Sequence, residues 1–357
     1  MDFSFSPDQE ELRALARRIV TDRCTAEQLR VISESDSATD LELWRLLADA
    51  GLVGISLPEA AGGGGLGWLE EAIVLDEIAR AAAPVPGLAV MALAGPALAG
   101  PALAGRPELL EGVADGTSII TAAIHELVGD PWAPTTKVTE GRLSGTKVCV
   151  AHGLIADRFV VTATGSDGAG LYAVESDAPG ITITRQDTTS GVPDALVEFD
   201  AAAVEPIGGR DEVDDLLRRG MSAAAVMTAA ACGEALRLTS EYAVEREQFD
   251  KPIAAFQAVS QRVGDAYIDT ESVRLTAWHA AWRLAAGLPA DEAILSAKFW
   301  AAEGGWRVIH AAQHVHGGVG VDRDYPLFRY FLIHKQLELF LGSATPTLQR
   351  LGRTLAG

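Results

Sequence analysis

Cysteine is scarce in this chain. Cys24, Cys149 and Cys232 are the complement of 357 residues, too few and too far apart for a disulfide scaffold or a Cys-x-x-Cys metal knot. Such usage fits a reducing cytoplasm. Positive charge is also short: 29 Lys and Arg face 49 Asp and Glu, a formal charge of −20. Binding to nucleic acid or to an anionic membrane needs a basic field, so neither is an expected partner. The acidic, polar opening Met1–Glu11 lacks the basic-then-apolar texture of a secretion leader, and none is expected. One run without charge, Ala81 to Gly105, has the length of a membrane span, but Pro84, Pro86, Pro96 and Pro101 interrupt it. Each interior proline costs a helix roughly 3 kcal/mol, so short buried or half-buried helices are expected there instead. What remains is an ordinary globular mixture, 48% apolar and 22% charged, long enough for two or three domains.

The pattern along the chain divides it in three. Ser6-Pro7-Asp8-Gln9 supplies a hydroxyl cap, a first-turn proline and a capping-box glutamine, and Leu12, Leu15, Ala16, Ile19 and Val20 share one helical face. Further helices are expected around Leu41–Ala50 and Trp68–Arg80, so residues 1–116 read as helical. From Thr117 the texture changes. Ser118–Ala123, Arg142–Ala151, Arg158–Ala163, Leu171–Val174, Ile181–Arg185 and Leu196–Phe199 are short, β-branched segments between Gly, Asp and Pro punctuation. Residues 117–206 therefore predict a small β-sandwich or barrel. Helical periodicity returns over 207–357. It predicts a long helix with Phe256, Val259, Val263, Ala266 and Tyr267 on its stripe, then helices over about Asp291–Ala312 and Pro326–Leu341. The fold class is α+β, mainly α.

Four features could carry chemistry. Gly62-Gly63-Gly64-Gly65-Leu66-Gly67 satisfies G-x-G-x-x-G, but its helical surroundings and the missing acidic residue about 20 positions on favour a flexible turn over a dinucleotide fingerprint. His310, His314 and His316 crowd one helix end, yet lack the intervening glutamate of H-E-x-x-H, and no metal is expected. His316-Gly317-Gly318-Val319-Gly320 reads either as a helix cap and turn or as backbone that a ligand can approach closely. Arg246-Glu247-Gln248-Phe249, followed by Phe256-Gln257, sets an arginine between two helices. There it can form a surface ion pair or a bidentate contact with a phosphate.

In combination these motifs resemble the acyl-CoA dehydrogenase family over nearly the whole chain. The resemblance rests on Leu57-Pro58-Glu59 followed by the glycines, and on Gly141-Arg142-Leu143-Ser144-Gly145-Thr146-Lys147. It rests further on the Arg246–Phe249 motif with Phe256-Gln257, and on His316–Gly320 followed by Tyr325-Pro326. It implies a helical N-terminal domain, a β middle domain and a C-terminal four-helix bundle that builds dimers or tetramers. It also implies FAD, an acyl-CoA thioester as substrate and an electron-transfer flavoprotein as electron acceptor. In the family reaction a glutamate removes the α proton while the β hydrogen leaves as hydride to the flavin.

The sequence departs from the family at the base. Leu341 stands where the C-terminal glutamate belongs, and the alternative position falls at or near Gly220; neither side chain can accept a proton. The segment that packs on the flavin ring, Trp-x-Thr/Ser-Asn in the family, lies in Val148-Cys149-Val150-Ala151-His152-Gly153, and the glycine-rich stretch before it reads His125-Glu126-Leu127-Val128-Gly129-Asp130. By resemblance, the retained FAD contacts are those offered to a neighbouring subunit: Arg246, Phe249, Gln257, Gly317 and Gly318, with His314 in place of a glutamine. The pattern resembles one subunit type of actinobacterial α2β2 acyl-CoA dehydrogenases of steroid side-chain degradation. The expected role is a subunit without the base that completes the FAD site of a paralogous catalytic partner. Two other readings stay open at this stage: a self-sufficient enzyme with a displaced base such as Glu338 or Glu303, and a flavin-free structural or CoA-thioester-binding homologue.

Overall fold

The computed structural model describes residues 4–100 and 105–356. Met1, Asp2 and Phe3 of the opening segment and Pro101 of the uncharged run lie outside the described residues. The helices are α1 (Pro7–Arg23), α2 (Ala26–Ser33), α3 (Leu41–Asp49), α4 (Trp68–Arg80), α5 (Gly95–Ala99), α6 (Arg210–Glu245), α7 (Gln257–Ala285), α8 (Asp291–His316), α9 (Leu327–Leu339) and α10 (Ala344–Ala356). The strands are β1 (Ile120–Ala123), β2 (Lys137–Thr139), β3 (Arg142–Ala151), β4 (Arg158–Gly165), β5 (Gly168–Glu175), β6 (Ile181–Gln186), β7 (Asp194–Ala203), β8 (Glu205–Gly208), β9 (Glu247–Gln248) and β10 (Lys251–Pro252). They pack as two compact units: Met1–Arg30 with Ala72–Ala83 and Met221–Gly357, and Val31–Glu71 with Pro84–Gly220.

The first unit is helical. α1 starts on the expected capping box, with Ser6 and Gln9 exchanging side-chain and backbone hydrogen bonds at 3.0 and 3.2 Å. It is tied to α4, where the buried Glu77 takes Arg13 at 3.1 Å and Arg17 at 2.7 Å. Close approach in the bundle depends on small residues of α8. A Cβ on Gly305 would lie 2.6 Å from His334 Nε2 of α9 and 3.0 Å from Thr228 of α6, and one on Gly304 would meet Val273 of α7 at 3.1 Å. The expected stripe of α7 is half-buried at Phe256, Val259 and Val263 and buried at Ala266, and it continues through Thr270, Val273, Ala277, Ala280 and Ala281. Tyr267 is corrected: it is 59% exposed, off the seam, where small side chains allow close helix–helix approach.

In the second unit eight strands form one sheet, ordered β6-β7-β3-β2-β4-β5-β8, with β1 beside β4. The pairings of β4 with β1 and β2 are parallel and the rest antiparallel. Leu143, Phe159, Val161, Val174, Val197 and Phe199, from four of these strands, converge on one core, so the sheet is rolled around its apolar face. Lys147 sits inside it with no exposed surface, donating to Glu126 Oε1 at 2.8 Å, Ile124 O at 3.1 Å and Thr162 Oγ1 at 3.1 Å. The uncharged run is a buried π-helical turn over Leu88–Ala94 leading into α5. Among the described residues no helix is long and apolar enough to cross a membrane.

Gly62–Gly67 is a packed turn. The N–H groups of Gly62, Gly63, Gly64 and Gly65 donate to Glu59, Pro58, Gly54 and Leu57 carbonyls at 2.9–3.1 Å, leaving none of these donors for a phosphate. A Cβ on Gly63 would lie 2.1 Å from the Leu57 carbonyl oxygen, so glycine is required there for close approach.

Glu71, at the start of α4, is fully buried; Ser56 Oγ donates to Oε2, and Oε1 has no partner. Desolvation pushes its carboxyl up to about 7 from 4.5. Between those values the folded chain holds a proton that the unfolded chain releases, so stability falls as pH rises through the window. Glu71→Gln keeps the acceptor for Ser56 and removes the titration. The variant should therefore gain about 3 kcal/mol on the wild type between pH 5 and pH 8. Urea unfolding at both pH values checks this; equal pH dependence in the two proteins would exclude a protonated Glu71.

Candidate functional site at the end of the helical unit

Arg246 follows the last turn of α6. Its N–H donates to Tyr242 O at 2.8 Å and its carbonyl accepts from Ile253 at 2.8 Å, so the backbone is fixed on both sides. Its guanidinium is exposed and makes no ion pair among the described residues. Beyond it β9 and β10 form a hairpin in which Gln248 pairs with Lys251, leaving Phe249-Asp250 as a two-residue loop. Both loop residues have positive φ, 55° and 62°. Such loops favour Asn-Gly, and a phenylalanine there is strained. The ring is also 86% exposed, touching Phe256 edge-on at 6.2 Å. Gln257, exposed, opens α7 directly after Phe256.

The glycine turn is held to the same region through aromatic rings. His316 ends α8 and stacks on Tyr242 with centroids 4.4 Å apart, while its Nε2 meets Tyr325 Oη at 3.0 Å and its Nδ1 meets Ala312 O at 2.9 Å. Burial lowers the imidazole's pKa, which keeps this stack neutral. Tyr242 is one helical turn before Arg246, and His316 immediately precedes Gly317. The stack therefore ties the arginine turn to the glycine turn. Gly317 caps α8 with φ +58°, and a Cβ on either Gly317 or Gly318 would meet nothing within 4 Å. His314 is exposed beside them. Arg246, Phe249, Gln257, His314, Gly317 and Gly318 thus belong to one unit and are surface residues. Tyr242 was missed from sequence; its only signal was its place one turn before the arginine.

The histidines do not converge. His310 stacks on Trp306 at 4.1 Å with Nδ1 on Trp306 O at 2.8 Å, His316 belongs to the tyrosine cluster, and His314 faces outward.

Leu341 and Gly220, where the resemblance expects the base, carry no acid. Leu341 is buried, with φ +55°, just past α9, and Gly220 is buried within α6. Glu338 is taken by Lys335 at 2.6 Å, with His334 Nδ1 at 3.7 Å, and Glu303 by Arg307 at 3.1 Å. Just before Leu341, Lys298 of α8 is fully buried and donates to the carbonyls of Leu337 at 3.1 Å and Glu338 at 3.0 Å, capping α9.

In the β region, Cys149 and His152 both have positive φ, 51° and 55°, where the β3–β7 register shifts between Lys147 and Val150. The Cys149 N–H donates to Gln186 Oε1 at 2.8 Å, and its thiol is free. His152 Nδ1 lies 3.2 Å from Thr39 Oγ1, and burial pulls its imidazole down to about 4, so it is neutral at pH 7. Glu126 is held at about 2, beside Lys147 and the hydrogen bonds of Thr135 and Thr136, despite the opposing cost of burial.

The family profiles described as the N-terminal and C-terminal domains of acyl-CoA dehydrogenase match residues 6–116 and 213–356. The chain is 40% identical to the acyl-CoA dehydrogenase FadE27 of Mycobacterium tuberculosis, over all of this chain and 99% of that one. Two solved structures superpose with TM-scores of 0.93: the Tcur3481–Tcur3483 steroid ACAD G363A variant, at 42% identity over 98% of each chain, and the ChsE4–ChsE5 complex from M. tuberculosis, at 40% identity over 100% and 99%. With full-length identity of this order joined to both family profiles, the chain belongs to the acyl-CoA dehydrogenase family.

Proposed function

We propose that this chain is the non-catalytic subunit of a heteromeric FAD-dependent acyl-CoA dehydrogenase, in a cytoplasmic α2β2 assembly with a paralogous subunit that carries the base. The observation that carries this reading is the exposed, strained Phe249 beside the unpaired Arg246. A fold retains a ring in this state where something outside the chain covers it. The likeness to two-component relatives, a steroid ACAD and the ChsE4–ChsE5 complex, supports a partner of the same family and a steroid-derived acyl-CoA as substrate.

The residues present fit the nucleotide half of FAD. Arg246 would neutralise pyrophosphate charge through its planar fork, the bare Cα atoms of Gly317 and Gly318 would admit the phosphates, and Phe249, Gln257 and His314 would line the adenosine. The flavin, when bound, supplies the hydride acceptor for the β hydrogen, with electrons passing to an electron-transfer flavoprotein. Proton removal is assigned to the partner, because Leu341 and Gly220 cannot hold a proton and Glu338 is neutralised by Lys335. The three segments 1–116, 117–206 and 207–357 are assigned as helical, β and bundle domains, the last supplying the FAD contact and the subunit interface.

Expression alone against co-expression with a paralogous dehydrogenase tests this. The lone chain should purify without flavin absorbance and leave acyl-CoA unoxidised, whereas the complex should be yellow and active. A yellow, active lone chain would sink the proposal.

A further inference from the structure

A cavity lies in the helical unit, lined by residues of α1, α2, α4, α6 and the segment leading into α9. Its volume is about 570 Å³, within the range of small-molecule sites. Five arginines line it, Arg17, Arg80, Arg237, Arg323 and Arg329, against three acids, Glu77, Glu234 and Asp324, in a chain whose overall charge is −20. Three of the arginines are matched: Arg17 to Glu77 at 2.7 Å, Arg80 to Asp76 at 2.9 Å, and Arg237 to Glu234 and Glu241 at 2.5 and 2.6 Å.

Arg323 and Arg329 are not. Neither makes an ion pair among the described residues; Arg329 is half-buried with its guanidinium 4.8 Å from the Phe328 ring, and burial lowers its pKa, with the charge of Arg323 adding to the effect. Arg80 Nε, buried in the lining, also lacks a hydrogen-bond partner, with Glu77 4.0 Å away. Two arginines in one cavity with no carboxylate paired to either, beside an unsatisfied buried donor, leave positive charge for an anion to match. Val20, Leu29 and the ring of Tyr330 supply apolar lining, and the Tyr330 hydroxyl is already committed to Arg80 O at 2.8 Å.

We infer that this cavity binds a small organic anion, its carboxylate or phosphate held by Arg323 and Arg329 and its apolar body laid against Val20, Leu29 and Tyr330. The site uses none of the residues assigned to FAD, and it stands whether or not that assignment does.

Calorimetric titration of the purified complex with phenyl phosphate, benzoate, inorganic phosphate and benzyl alcohol, at constant ionic strength in chloride, tests it. At least one aromatic anion should bind tenfold or more tightly than benzyl alcohol and than inorganic phosphate; whichever of phenyl phosphate and benzoate is tighter identifies the head group. Arg329→Ala and, separately, the exposed and structurally tolerant Arg323→Ala should each weaken that anion at least tenfold. Arg246→Ala should leave it unchanged. Equal binding of the neutral alcohol, or anion affinity unmoved by both cavity variants, would overturn the inference. Loss of flavin in Arg246→Ala bears only on the FAD proposal.

Discussion

Arg246→Ala, made in the assembled complex, should lower FAD affinity by about two orders of magnitude, because a bidentate charge-assisted contact with a phosphate is worth roughly 3 kcal/mol. Little of this loss should come from folding. The guanidinium is exposed and unpaired, and the backbone bonds to Tyr242 and Ile253 do not depend on the side chain. The measurement is flavin absorbance per complex after dialysis, with thermal unfolding of the flavin-free form as control. Arg246→Lys should recover only part of the affinity, since an ammonium is a point charge without the planar fork. Full flavin occupancy in the alanine variant would remove the assignment of this residue.

Lys298 should give the largest stability change. Its ammonium is the cap on two carbonyls of α9, and its stem fills the bundle. Lys298→Ala removes both hydrogen bonds and opens a cavity, an expected loss of about 3–5 kcal/mol. Lys298→Met keeps the volume and should cost much less at neutral pH. Desolvation draws the lysine down to about 7 from 10.5. Between those values the unfolded chain binds a proton that the folded chain does not, so the wild type gains stability as pH rises across the window. The gain is about 1.4 kcal/mol per pH unit while the window lasts, and the methionine variant should lack it. Denaturant unfolding from pH 7 to 9.5 compares the slopes. Parallel profiles would mean that Lys298 keeps its charge in the folded state.

The elements that the sequence disclosed are those with strong local signals. α1 begins on its capping box, α4 spans Trp68–Arg80 as its periodicity predicts, and β3 spans Arg142–Ala151. Weak local signals were lost: α2, α10, β2 and β8 are short or flanked by few turn residues, and Tyr267 was counted on the buried stripe of α7 although it is exposed. Lys147 and Lys298 were invisible as buried groups. A lysine reads as solvent-facing until distant carbonyls or a carboxylate are brought to it, as Glu126, Leu337 and Glu338 are.

The local sequence by itself determined that Leu341 and Gly220 hold no ionisable atom wherever the chain places them. It also carried the motifs by which the family is known, since these are contiguous runs. Tertiary structure alone decided that Arg246 and Gly317, 71 positions apart, share one surface, because the ring of Tyr242 lies flat on His316. It alone decided which arginines are matched and which are not. Charge balance at a cavity depends on distances between helices far apart in sequence, and spacing along the chain does not encode them.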